Sequence, residues 1–320
     1  MKYTWTKTGI GKIDNLGKQM EKVFRGANQG ALETRYRYAE GSKRFISHVA
    51  QKYGLQRLQN VQDKHLESYV RELQARNCSD KYIKNELAAV RYMHSQIPQA
   101  KFELTESTAF NRAVGLGSTP DGRCDRGWTD REVSSMRSLC KEMDRSDLVK
   151  ALDLTRSTGM RLDEVCTLKR NEVEQALKSG RLHLTNTKGG RPRDVELTGK
   201  SRDVLERAIK DVERGGYVVA PKEFWNGKIH IYEANAEKFL YDHRDKIQDK
   251  DRNVSAHNVK ADERAPLTWH GLRHTYAREE LQRLVDSGMT PKEARQTVAE
   301  ELGHWRSSVT NIYLSGGGDC

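Results

Sequence analysis

Residues 115–127, GLGSTPDGRCDRG, hold four glycines and one proline and show no apolar periodicity. Such a stretch builds neither a helix nor a strand and reads as a linker. It obliges the chain to fold as two bodies, one over residues 1–114 and one over 128–320. A length of 320 residues suits that division.

The first body reads as helical throughout. ALETRYRYAEGSKRFISHVAQKYG places Leu32, Tyr36, Ala39, Phe45, Ile46 and Val49 at spacings of three to four and stops at Gly54. VQDKHLESYVRELQARN offers Asp63 as N-cap, with Leu66, Tyr69, Val70 and Leu73 on one face. In CSDKYIKNELAAVRYMHSQI, Ser79 caps a stripe of Ile83, Leu87, Val90 and Met93. Three or four amphipathic helices in a small bundle are expected.

Charge separates the two bodies. The chain carries 56 Lys+Arg against 45 Asp+Glu, a net +11. Before Trp128 there are 22 basic and 13 acidic residues; after it the two signs nearly balance. A basic surface of this kind suits a polyanion, and nucleic acid is the commonest one inside a cell. A hydrophobic content of 36% is enough to bury a core, so disorder throughout is excluded. No apolar run approaches the roughly 18 residues of a membrane span, and MKYTWTKTGIGKID lacks the apolar centre of a signal peptide. A cytoplasmic location without membrane contact is expected. The five cysteines are scattered and form no CxxC pair, so reduced thiols are expected in place of a disulfide or zinc framework.

The second body mixes elements. Thr129 and Glu132 form a capping-box pattern, and RSDLVKALDLTRSTG is a helix ended by Gly159, with another helix starting at MRLDEVCTL. In RLHLTNTKGGRPRDVEL, Leu182 and Leu184 alternate on one side of Gly189-Gly190 and Val195 and Leu197 on the other, the pattern of a β-hairpin. Helix resumes at SRDVLERAIKDVERGG. Residues 242–266 are polar and highly charged and read as a surface loop or insertion. Thr290-Pro291 is an N-cap and N1 pair. The expected fold class is mainly α with a small β-sheet.

Four segments carry residues with chemistry: STGMRLDEVCTL, NTKGGRPRDV, TWHGLRHTYA and ELGHWRSSVTNIYL. Taken singly, each has an ordinary explanation. Arg161 stands at a helix start, where the dipole prefers anions; an anion held there would resolve this, and so would an ion pair with Asp163 or Glu164. Lys188 at the hairpin tip could simply be solvated. His270 and His274 have a zinc-compatible spacing, but no third ligand is evident, and no metal or other cofactor is expected. His-x-x-Arg puts an imidazole and a guanidinium one turn apart, which suits a phosphate oxyanion. Tyr313 alone reads as a core aromatic, and His304 as a C-cap residue.

In their order, however, these residues resemble the tyrosine recombinase (phage integrase) family. The layout of basic helical domain, linker and mixed domain extends over the whole chain, and the motifs TGMRLDE, TWHGLRHTYA and LGHWRSSVTNIYL carry the likeness. The resemblance implies a SAM-like core-binding domain followed by a catalytic domain. It implies that Arg161, Lys188, His270, Arg273 and His304 form the catalytic set, with Glu164 supporting it and Tyr313 as nucleophile. The chemistry is coherent: two arginines clamp the non-bridging oxygens, and a phenol of pKa ~10 needs cations and a proton acceptor to attack. His270 is the expected acceptor, His304 a phosphate ligand, and Lys188 the acid that protonates the leaving 5′-oxygen.

Implied partners are double-stranded DNA with specific recombination sites, three further copies in a tetramer on two duplexes, and an accessory directionality or host DNA-bending factor. The setting would be a prokaryotic cell and its nucleoid. Many relatives carry a helix after the nucleophile that docks into a neighbour; with only LSGGGDC following Tyr313, that contact is expected to be missing or to come from another element. Two other readings stay open: a type IB topoisomerase-like DNA relaxing enzyme, and a non-catalytic DNA-binding regulator on the same scaffold.

Overall fold

Apolar residues spaced for one helical face decide most of this fold. In the computed structural model, the described residues are 3–26, 32–117, 124–185, 187, 191–255, 259–260, 263–304 and 307–314. The chain separates into two units, Met1–Pro120 and Asp121–Cys320. Among the described residues no helix is long and apolar enough to cross a membrane.

Among its described residues the first unit has five α-helices: α1 (Gly11–Arg25), α2 (Leu32–Tyr53), α3 (Asp63–Ala75), α4 (Asp80–Ser95) and α5 (Ser107–Ala113). Leu16, Met20 and Phe24 of α1 join Phe45, Ile46 and Val49 of α2 and the expected stripes of α3 and α4 in one core. α2 ends where Gly54 takes a positive φ of 59°. Close crossing of α2 and α4 depends on Gly41, where a Cβ would lie 2.7 Å from that of Ala89. Beside it the buried Glu86 accepts from Arg44 Nε (2.8 Å), Arg44 Nη2 (2.6 Å) and Tyr69 Oη (2.8 Å). Ser79 caps α4 by accepting from the Tyr82 N–H. Asp63 differs from the expectation: Gln62 is the N-cap of α3, and the Asp63 carboxylate instead accepts from Thr105 Oγ1 at 2.6 Å. α1 is an additional helix that the sequence reading did not include.

The second unit is built around α7 (Ser146–Thr158), against which α6 (Asp130–Glu142), α8 (Leu162–Thr167), α10 (Gly199–Ile209) and α12 (Trp269–Asp286) pack. α9 (Arg170–Ser179) leads into the hairpin of β1 (Arg181–Leu184) and β2 (Arg193–Glu196), antiparallel with Leu182 opposite Val195 and Leu184 opposite Arg193. α11 (Ile229–Ile247), α13 (Pro291–Glu301) and α14 (Ser307–Leu314) complete it. The capping boxes at Thr129/Glu132 and Thr290/Glu293 both form.

The described residues of 242–266 are not simply a surface loop. α11 continues to Ile247, and beyond it Arg252 is buried. Its guanidinium donates to both Glu132 oxygens and to the Gly127 and Ala265 carbonyls. Arg264 adds ion pairs to Glu132, Asp249 and Asp251. The charge that makes the segment look solvated is spent on tying it to the start of α6.

Candidate active site

The site forms where α7, α8, α12 and the end of α13 meet. α7 stops at Gly159, whose φ of 63° turns the chain; a Cβ there would lie 2.4 Å from the Tyr276 ring. Two residues later Arg161 is the N-cap of α8. The anion this helix start calls for is internal: Glu164 accepts from the Arg161 backbone N–H at 2.7 Å and from Nη1 at 2.8 Å.

Glu164 is buried and serves a second arginine. Arg193, itself buried on β2, donates through Nη1 and Nη2 to the two carboxylate oxygens and through Nε to the Glu301 carbonyl at 2.7 Å. Burial pushes the Glu164 carboxyl up, but the Arg193 bonds and charge, followed by Arg161, outweigh it and hold it at about 2.

Arg273, on α12, is fully buried. Its Nη1 and Nη2 donate to the Gly159 and Leu302 carbonyls, while Nε has no hydrogen-bond partner among the described residues. Burial, then the nearby Arg161 charge, lower this guanidinium to about 10. Two guanidiniums are thus bonded to one carboxylate and a third, that of Arg273, lies nearby, leaving surplus positive charge suited to an anion.

α12 is anchored at its first turn. Thr268 caps it, Trp128 Nε1 donates to the Thr268 carbonyl at 2.9 Å, and the Trp128 N–H donates to Thr275 Oγ1 at 2.7 Å. Gly271 admits the Arg126 carbonyl, which a Cβ would meet at 2.3 Å. His270 and His274 emerge from this turn one above the other.

Tyr313, on α14, is 7% exposed and sits among three imidazoles. Its Oη lies 3.0 Å from His270 Nε2. The His274 ring stacks on it at 4.4 Å, the His304 ring is tilted against it at 4.5 Å, and Arg273 Cζ is 5.8 Å from its centre. His304 follows Gly303, which has a φ of 68°, and its N–H donates to the Ala299 carbonyl at 2.7 Å. Burial, then Arg273 and Arg161, lower the His304 imidazole to about 3; burial, then His270, do the same to His274. Both are neutral near pH 7.

Arg161, Glu164, His270, Arg273, His304 and Tyr313 are therefore brought together. Lys188 lies outside the described residues. Two members of the cluster were given no place in the site by the sequence: Arg193, which was not singled out, and His274, weighed only as a zinc ligand. His274 packs under Tyr313 rather than serving as a ligand. Arg193 shares the inward face of β2 with Val195, and an arginine at an inward strand position was the available signal. Among the described residues no group of three or more His, Cys, Asp or Glu is placed to hold a metal ion. Chemically, the cluster offers paired guanidiniums for an anion and a phenol bonded to an imidazole that can take its proton.

A family model described as phage integrase family matches residues 129–316. A second, described as phage integrase, N-terminal, matches residues 13–101. A tyrosine recombinase of Thermosipho africanus (strain TCF52B) is 29% identical over 186 residues, 58% of this chain and 56% of the relative. The chain thus spans little more than half the length of that curated relative. Among solved structures, a lambda integrase (75–356) dimer bound to a COC′ core site matches with a TM-score of 0.64 and 16% identity, covering 96% of each chain. The Tn1549 transposon integrase in complex with transposon right end DNA matches with a TM-score of 0.56 and 14% identity, covering 95% of each. At these identities the likeness is one of fold.

Proposed function

Because the chain belongs to the phage integrase family, we propose that it is a site-specific DNA recombinase that cuts and rejoins DNA through a 3′-phosphotyrosine. In this reading the Tyr313 phenol gives its proton to His270 Nε2 as Oη attacks the scissile phosphorus. Arg161 and Arg273 hold the non-bridging oxygens, and His304, neutral at working pH, hydrogen-bonds to one of them. The bond from phosphorus to the 5′-oxygen breaks, and Lys188 supplies the proton that leaves a 5′-hydroxyl. Glu164 orients Arg161. A 5′-hydroxyl from a second duplex then attacks the phosphotyrosine, releases Tyr313 and forms the new strand without an external energy source.

The observation that carries this reading is the 3.0 Å contact of Tyr313 Oη with His270 Nε2 beside the Arg273 guanidinium. Residues 1–114 serve as the core-binding domain, since most of the surplus positive charge lies there. The partners are duplex DNA with attachment sites and further copies of the chain, four on two duplexes, with an accessory bending or directionality factor. The setting is the prokaryotic nucleoid, and the gene belongs to a phage or other mobile element.

The test is a nicked suicide duplex carrying the attachment site found in DNA flanking the gene. Wild type should form a covalent 3′-adduct and Tyr313→Phe none. Equal adduct from both proteins would overturn the assignment, and site-independent relaxation of supercoiled plasmid without strand exchange would point to a topoisomerase.

A further inference from the structure

The geometry points to Arg193 as a positioning residue that keeps Arg161 available to DNA by occupying the carboxylate that would otherwise capture it. This inference rests on the reading of Arg161 as a phosphate ligand.

Glu164 has two oxygens, and both are taken by the parallel pair of Arg193 nitrogens. Arg161 reaches the same carboxylate through its backbone N–H and one side-chain nitrogen, Nη1. A planar guanidinium prefers a carboxylate side-on, with two nitrogens engaged. With Arg193 in place, that mode is closed to Arg161, whose side chain remains 21% exposed while those of Arg193 and Glu164 are 4% and 1% exposed. Arg161 is left oriented but not consumed.

Arg193 is also held from behind. Its Nε donates to the Glu301 carbonyl, and its aliphatic stem packs on Gly303, where a Cβ would approach Cδ to 3.1 Å. The next residue is His304. One side chain on β2 therefore joins the Arg161 turn to the turn that carries His304.

Charge counting sharpens the inference. Arg161, Arg193 and Arg273 against Glu164 leave the pocket with a surplus of two positive charges. Arg193→Met lowers that surplus to one and frees Glu164 to bind Arg161 side-on. Adding Glu164→Gln restores the surplus and removes the competitor. A residue that served only packing would show the opposite pattern, since the second substitution would add a second defect.

The experiment measures single-turnover adduct formation on the suicide duplex and, separately, DNA affinity, for protein verified as folded by thermal unfolding. Arg193→Met should slow cleavage about 100-fold with affinity changed less than about threefold, as expected for loss of a preorganised phosphate contact. Arg193→Met with Glu164→Gln should regain at least about tenfold over Arg193→Met. If Arg193→Met does not fold, Arg193→Lys replaces it: it should slow cleavage and be rescued by Glu164→Gln in the same sense. A double variant as slow as or slower than the single overturns the inference. If Arg161→Ala cleaves like wild type, the underlying reading of Arg161 has failed instead.

Discussion

Tyr313 Oη and His270 Nε2 are 3.0 Å apart although their residues are 43 positions apart in the chain. The bond joins α14 to the first turn of α12, so it reports tertiary structure rather than local packing. If His270 takes the phenol proton, His270→Gln should slow adduct formation by about 10²–10⁴-fold near neutral pH. The loss should shrink as pH rises and hydroxide can take the proton in place of the imidazole. Rates measured from pH 6 to 9.5 check this; a constant deficit across that range would count against His270 as base.

His274 gives a stability prediction of definite sign. Its folded-state value of about 3 lies below the ordinary 6.5, so between these values the unfolded chain binds a proton that the folded chain refuses. The associated stability is complete above about pH 6.5 and is lost as pH falls towards 3, with a loss of about 2 kcal/mol by pH 5. His274→Phe, which retains an aromatic ring against Tyr313, should flatten that acid dependence in urea unfolding measured at pH 7 and pH 5.

Glu301 should behave in the opposite way. Burial, then the neighbouring Glu280, raise its carboxyl from 4.5 to about 7, against the opposing hydrogen bond from Tyr276 Oη at 2.8 Å. Stability tied to this group is present below about pH 4.5 and is lost as pH rises through 7. Glu301→Gln keeps an acceptor for Tyr276 and should be nearly neutral at pH 5. At pH 8 it should be stabilising by up to about 3 kcal/mol. An equal effect on thermal unfolding at both pH values would contradict the assignment.

The buried pair of Glu132 and Arg252 supplies a fourth prediction. Arg252→Met leaves the Glu132 carboxylate without its main partner inside the domain and should cost about 3–5 kcal/mol in urea unfolding. Adding Glu132→Gln should recover part of that loss, because the uncompensated charge is gone. Two additive losses would mean that the pair does not interact as described.

Local signals made much of this fold legible. Gly54 and Gly159 end helices because their positive φ suits glycine. Ser79, Thr129 and Thr290 cap helices through side chains that reach only three residues ahead. The mainly helical class and the hairpin follow from periodicity alone. α1 carries the same kind of stripe, Ile13, Leu16, Met20 and Phe24, so its omission reflects no physical obstacle.

What was hidden depended on distant partners. Arg193 finds Glu164 29 residues back and the Glu301 carbonyl 108 residues ahead. Arg252 finds Glu132 across 120 residues. Charge written in a sequence does not reveal whether it will be solvated or paired, so a run of such residues reads as surface. The six residues that the structure brings together were singled out through their order, whereas the place of His274 was not legible, because a stacking contact leaves no trace in spacing.

Arg273 lies wholly inside its domain, with its guanidinium strung between the carbonyls that end α7 and α13. One side chain therefore sews three helices together, and its remaining charge is directed at whatever anion enters. An anion bound there would share the side chain that holds the two helix ends together. A ligand that binds only the folded chain adds RT ln(1 + [L]/Kd) to its stability, and α14, which bears Tyr313, starts at Ser307, a few residues beyond Leu302. An anion held by Arg273 would thus tie the ends of α7 and α13 more firmly together in the act of binding.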